Sequence, residues 1–239
     1  MEAYEQIREN YRRVQAEIAA AVRRRDPRIT TPVRLLAATK TVPPDEILYA
    51  ASLGLDLIGE NKTTELTDKW DALEGKIEQH FIGHLQTNKV RQVVGRVSLI
   101  QSVSSEALLS CIDRAAQRLG IVQDVLLEVN IGQEASKSGF RAEEMMQVMD
   151  QMHRFPSVRV RGLMAIPPIC ENIGDNRRFF AEMRNLFVDI TAKKDDNGVM
   201  NCLSMGMSGD YADAISEGAT LVRVGTAIFG ARDYSKRSI

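Results

Sequence analysis

One unit recurs eight times along this chain: a short apolar stretch of strand length, a turn, then an amphipathic stretch of helical period. The strand windows are 33–39, 56–58, 79–82, 97–101, 124–130, 158–164, 201–204 and 220–224. The intervening helical windows are 44–53, 62–72, 87–94, 105–119, 141–155, 178–192 and 209–217, with a short helical end from about Thr226. Glycines follow several of them (Gly54, Gly95, Gly120, Gly218), where a left-handed residue ends a helix. Eight strand–helix units in about 200 residues are what a parallel (β/α)8 barrel, the TIM-barrel fold, requires. A doubly wound open sheet is the competitor, but no G-x-G-x-x-G follows the first strand and no break interrupts the eight units. Ahead of the barrel, residues 4–24 place Tyr4, Ile7, Tyr11, Val14, Ile18 and Val22 on one helical face. The expectation is one domain over 1–239, with an N-terminal helix at about 4–24 and the barrel at about 33–232.

In such a barrel the site lies at the carboxyl ends of the strands. The first strand ends Leu36-Ala37-Ala38-Thr39-Lys40, and alternation puts Leu36, Ala38 and Lys40 on one face. An amine there loses hydration, its pKa falls, and it can add to a carbonyl to form a Schiff base. The competing reading is a strand-end lysine that reaches out to water. After the seventh strand comes Ser204-Met205-Gly206-Met207-Ser208, and after the eighth Gly225-Thr226. Glycines with hydroxyls that open helices make an anion cradle; alternatively the glycines simply turn the chain and Ser208 caps a helix starting near Gly209. Arg223 shares a strand face with Leu221 and Gly225, and an inward arginine needs an acceptor, either a ligand atom or an internal carboxylate. An amine, an anion cradle and an inward guanidinium together fit a ligand with an aldehyde, a phosphate and an aromatic nitrogen, which describes pyridoxal 5′-phosphate.

Other features carry less. His80 and His84 have the i, i+4 spacing of metal ligands, but they bracket a strand and Gly83 rather than share a helix face. Met145, Met146, Met149 and Met152 fall at helical spacing and read as core filler, as do Phe179, Met183, Phe187 and Ile190. Cys111, Cys170 and Cys202 are odd in number and far apart, which fits reduced thiols in a cytoplasmic protein. A net charge of −1 offers no field for nucleic acid or an anionic membrane, and no apolar run could span a bilayer.

The chain resembles the pyridoxal phosphate homeostasis (YggS/PROSC) family over nearly its whole length. The resemblance is carried by Ala37-Ala38-Thr39-Lys40-Thr41, Ile58-Gly59-Glu60-Asn61, the run from His80 to Lys89, and Ser136-Lys137-Ser138-Gly139. It continues in Arg161-Gly162-Leu163-Met164-Ala165-Ile166-Pro167, Leu203-Ser204-Met205-Gly206-Met207-Ser208 and the run from Val222 to Gly230. It implies a barrel like the N-terminal domain of alanine racemase, without a C-terminal β-domain, and the cofactor as an imine on Lys40. It further implies that Ser204, Ser208, Gly225 and Thr226 surround the phosphate, with Met205 near that turn. Arg223 would face the pyridine nitrogen and Asn61 lie beside the ring. One departure is Lys62, where the family usually has a tyrosine.

The same residues argue for binding rather than turnover. An arginine stays charged and cannot give the ring nitrogen a proton, so the ring is a poor electron sink. A racemase needs a second base, which alanine racemase takes from an added domain and a partner subunit. The chain ends at Ile239, so no such domain is expected; Tyr211 falls in a helix and Tyr234 in the tail. The expected role is cofactor homeostasis and delivery by a cytoplasmic monomer, with PLP-dependent apoenzymes or a regulatory protein as the partners this role admits. The alternatives are a PLP-dependent amino-acid racemase or other PLP enzyme, and a cofactor-free Schiff-base aldolase.

Overall fold

The computed structural model describes residues 2–134, 137–168, 170, 172, 174–193 and 200–230. Its strands are β1 (Arg34–Ala38), β2 (Leu57–Glu60), β3 (Glu78–Phe81), β4 (Leu99–Val103), β5 (Gln123–Val129), β6 (Val158–Ala165), β7 (Cys202–Ser204) and β8 (Leu221–Val224). They form a closed barrel in sequence order, all pairs parallel, with β8 returning to β1. The helices are α1 (Glu2–Arg24), α2 (Pro44–Ser52), α3 (Thr63–Leu73), α4 (Glu106–Leu119), α5 (Met145–Asp150), α6 (Arg177–Lys193), α7 (Tyr211–Ser216) and α8 (Thr226–Phe229). None of the described helices is long and apolar enough to cross a membrane.

Alternation sorts each strand into two layers. Ala37, Ile58, Phe81, Ile100, Val125, Leu163, Leu203 and Val222 point outward into the shell under the helices. Leu36, Leu57, Ile82 and Leu221, with Leu99, Leu126 and Met164, fill the lumen. The amino-terminal end of the barrel is closed by ion pairs, Arg34 to Glu78 at 2.9 Å and Arg159 to Asp124 at 2.6 Å. The N-terminal helix buries Ile7, Tyr11, Val14, Ile18 and Ala21, as its periodicity requires. It packs on α7 and α8. Asn10 Nδ2 donates to the Ile228 carbonyl at 3.0 Å, and the Tyr211 hydroxyl donates to the Glu17 carboxylate. These contacts tie α1 to the short helices that follow β8 and β7, so the added helix braces one side of the barrel mouth.

Three helical windows depart from expectation. The window at 87–94 is a 3₁₀ helix over Thr87–Gln92. This stretch is short and rich in β-branched residues, and the tighter winding lets Val90, Val93 and Val94 all bury. The window at 141–155 breaks into a 3₁₀ turn, α5 and a second 3₁₀ turn over Met152–Arg154. Met145 is buried there, while Met146, Met149 and Met152 pack on the core partly exposed, consistent with the filler reading. The short helix α7 begins at Tyr211 rather than Gly209, because Asp210 Oδ1 accepts the Met207 N–H and holds 207–210 as a turn.

Under α3 lies a buried polar cluster. Glu60 is fully buried and accepts from Thr39 Oγ1 at 2.7 Å and Lys69 Nζ at 2.8 Å; Lys69 also donates to the Thr39 carbonyl at 2.8 Å. Burial pushes the Glu60 carboxyl up from its ordinary pKa, and Lys69 pulls it back. Lys69→Met strands that carboxylate, so at pH 7 it is expected to cost about 3 kcal/mol by urea denaturation. The folded-state pKa of Glu60 then rises further. The deficit therefore shrinks as pH falls towards the unfolded carboxylate pKa, because protonation removes the stranded charge. An equal deficit at pH 7 and pH 4.5 would contradict this account.

Candidate functional site

The register of β1 on β8 pairs Leu36 with Arg223 and Ala37 with Val224. Lys40, just past the end of β1, and Arg223 therefore share the lumen face on neighbouring strands. The close approach needs Gly225: a Cβ there would lie 3.1 Å from the Ala38 carbonyl oxygen and 3.3 Å from its Cβ. Lys40 is half-buried. Its backbone is anchored on both sides. The Thr39 carbonyl is held by Lys69, and the Thr41 N–H donates to Glu65 Oε2 at 3.0 Å. Thr41 itself has φ 64, a left-handed conformation costly for a β-branched residue and maintained by these contacts.

Arg223 is 5% exposed. Nη1 donates to Ser204 Oγ at 2.5 Å and Nη2 to the Ala165 carbonyl at 2.9 Å. Among the described residues it forms no ion pair, and the carboxylate that acts on it most strongly through its charge is Glu128. Burial brings the guanidinium down to about 10, opposed chiefly by the charge of Glu128. Glu128 lies on β5 at the lumen parity of Leu126, and burial raises its carboxyl to about 7 against the pull of Arg223. With Asn61, Ser102, Asn130, Lys137 and Ile166 it lines a cavity of about 230 Å3 in the mouth. Asn61 Oδ1 is buried with no hydrogen-bond partner.

The turns after β7 and β8 meet at the mouth. Ser208 Oγ accepts the Gly225 N–H at 3.2 Å, so Ser208 joins the two turns instead of capping α7. The Arg223 N–H donates to the Gly206 carbonyl at 3.0 Å. The Thr226 and Ala227 amides open α8 and have no acceptor within it. Of the eight residues singled out from the sequence, Lys40, Asn61, Ser208, Arg223, Gly225 and Thr226 gather at this end. Ser204 is fully buried and its hydroxyl is committed to Arg223 and Gln101, below the turns. Met205 is fully buried in the outer shell, because β7 alternation turns it away from the lumen. His80 bonds inside the lumen, whereas exposed His84 lies at the rim beside Ser138, 3.3 Å away. Glu128 escaped the sequence reading, although its parity with Leu126 marks it as an inward carboxylate near the carboxyl end of β5.

Glu128 gives a pH-dependent prediction. Between its unfolded pKa near 4.5 and its folded value of about 7, the folded chain binds the extra proton. Stability therefore falls as pH rises through that window. Glu128→Gln removes the dependence, and is expected to stabilise the ligand-free chain by about 3 kcal/mol at pH 8 and by almost nothing at pH 4. Urea titrations at the two pH values test it; a gain that is larger at pH 4 would contradict it.

Barrel and mouth together define a class. The family described as "Alanine racemase, N-terminal domain" matches residues 4–233. Within that class the chain belongs to the pyridoxal phosphate homeostasis protein family. It is 44% identical to the protein of that name from Aquifex aeolicus (strain VF5) over 202 residues, 84% of this chain and 88% of that one. PipY of Synechococcus elongatus PCC7942, solved with PLP bound, superposes with a TM-score of 0.79 at 30% identity, covering 94% of this chain and all of that one. A protein of unknown function from Bifidobacterium adolescentis superposes with a TM-score of 0.87 at 37% identity, covering 95% of each chain.

Proposed function

We propose that this chain binds pyridoxal 5′-phosphate through an imine on Lys40 and serves vitamin B6 homeostasis by holding and releasing the cofactor, without catalytic turnover. The observation that carries this reading is a buried guanidinium that makes no ion pair among the described residues, on the same lumen face as the strand-end lysine. The residues fit the group. Arg223 offers charged N–H donors to an aromatic nitrogen. The open amides of Thr226 and Ala227, on the turn braced by Ser208 and Gly225, suit a phosphate. Asn61 brings an unpaired buried oxygen to the same mouth. The likeness to PipY with PLP bound supports the choice of cofactor.

When bound, the cofactor supplies an aldehyde that exchanges reversibly between amines. The protein's part is to hold its nitrogen unprotonated, since Arg223 donates hydrogen bonds but gives up no proton. Glu128 favours an enzyme reading, because a carboxyl raised to about 7 can carry a proton at the mouth. Neither tyrosine singled out from the sequence supplies a second base among the described residues. The Tyr211 hydroxyl is engaged by Glu17 beneath α1, and Tyr234 lies outside the described residues. Holoprotein incubated with single enantiomers of alanine, serine and glutamate is expected to racemise none of them above the rate of free cofactor. It is expected to reactivate a PLP-dependent apoenzyme. Sustained racemisation that Glu128→Gln abolishes would replace the carrier reading with the enzyme one.

A further inference from the structure

We propose that Ser204, Gln101, His80 and Glu78 form a hydrogen-bonded line of fixed direction across the barrel lumen that positions Arg223, with Gln101 as the residue that sets its direction. The line runs from Arg223 Nη1 to Ser204 Oγ (2.5 Å) and from Ser204 Oγ to Gln101 Oε1 (2.7 Å). It continues from Gln101 Nε2 to His80 Nδ1 (2.9 Å) and ends between His80 Nε2 and Glu78 Oε1 (3.1 Å). Glu78 is held in turn by Arg34 at 2.9 Å and by Ser98 Oγ at 2.8 Å. Five strands, β8, β7, β4, β3 and β1, thus connect the guanidinium at the mouth to the ion pairs that close the opposite end.

The direction follows from the two ends. A guanidinium can only donate and a carboxylate can only accept. With Gln101 Oε1 facing Ser204 and Nε2 facing His80, each group between them accepts from its predecessor and donates to its successor. Ser204 does so through one hydroxyl. Gln101 accepts on Oε1 and donates from Nε2. His80 must then carry its proton on Nε2 and leave Nδ1 bare. Any other tautomer sets two donors, or two acceptors, face to face. Ser204 and Gln101 are fully buried, and His80 is 4% exposed. In such surroundings an unmatched polar group costs about 1–3 kcal/mol. The arrangement is therefore all or nothing.

A barrel lumen needs no such line. Beside it the lumen is packed largely by leucines, Ile82 and Met164. What the line adds is a fixed plane for Arg223. Two of its N–H groups are tied to Ser204 and the Ala165 carbonyl, and the others are left for a ligand. His80 faces Glu78 on its own strand, Arg34 on β1, and Ser98 and Gln101 on and before β4; burial depresses its pKa despite Glu78. A neutral imidazole is what the direction demands. The link to cofactor rests on the reading of Arg223 proposed above; the line itself does not.

The test uses the full chain labelled with ¹⁵N, first without cofactor. Wild type is expected to show His80 protonated on Nε2 alone and unchanged from pH 8 to about pH 5.5, with slow rotation of the Arg223 guanidinium. Gln101→Met, which cuts the line at similar size, should speed that rotation at least tenfold. Gln101→Glu replaces the donor with an acceptor and should turn His80 into an imidazolium at neutral pH. Met164→Leu, a lumen change off the line, should alter neither signal. Cofactor affinity should then fall about tenfold in Gln101→Met and stay within twofold in Met164→Leu. An Arg223 equally slow in Gln101→Met, or a His80 protonated on Nδ1 in wild type, overturns the proposal. The expected resonances in a wild-type chain that takes up no pyridoxal 5′-phosphate would leave the line standing and overturn the proposed function instead.

Discussion

Lys40→Ala is expected to abolish covalent capture of pyridoxal 5′-phosphate. The variant mixed with cofactor should show only the spectrum of the free aldehyde, and gel filtration should strip the cofactor away. Contacts to the ring nitrogen and phosphate remain, so residual binding should persist at affinity lowered by about 100-fold or more, close to 3 kcal/mol. The fold should not register the change. Lys40 is half-buried beyond the end of β1, and the segment is held by Lys69 and Glu65 through the backbone of its neighbours. A shift in urea stability of no more than about 1 kcal/mol is expected. A variant that still forms a yellow complex at wild-type affinity would place the reacting amine elsewhere.

Arg223→Leu separates cofactor binding from stability in a different way. The guanidinium is buried, and among the described residues Ser204 and the Ala165 carbonyl accept its hydrogen bonds. Removing a buried charge relieves its desolvation, while two acceptors lose a donor, so the two effects oppose each other. Stability is expected to change by no more than about 2 kcal/mol in either direction. Affinity for pyridoxal 5′-phosphate should fall by about 30- to 100-fold, the loss of one charged hydrogen bond. Imine formation on Lys40 should survive at saturating cofactor. Equilibrium titration followed by absorbance, alongside urea denaturation, reads both quantities. Undiminished affinity would mean that Arg223 does not face the ring.

Much of the fold was legible because periodicity records it. The alternation through Leu36, Ala38 and Lys40 placed the lysine on the lumen face, and the same rule placed Arg223. Element ends were less legible: 3₁₀ winding at 87–92 and the turn at 207–210 depend on tertiary packing and on one Asp210 bond. The mouth was read one strand at a time, so residues with obvious chemistry, a lysine and an arginine, stood out. Glu128 did not, because a carboxylate on a strand usually means solvent, and only barrel closure turns that face inward. Ser204 and Met205 read as parts of an anion turn. Their strand parity separates them instead, the hydroxyl into the lumen beneath Arg223 and the thioether into the outer shell. His80 drew notice only as half of a metal-like spacing with His84. Its partner Gln101 comes from β4, a pairing that no local spacing encodes.

The most direct test of the central claim is to load the chain with pyridoxal 5′-phosphate, reduce it with borohydride, digest it and sequence the labelled peptide by mass spectrometry. The account predicts a single pyridoxyl group on the peptide carrying Ala37-Ala38-Thr39-Lys40-Thr41, at close to one per chain. A label concentrated on any other lysine, or spread over several, would contradict it.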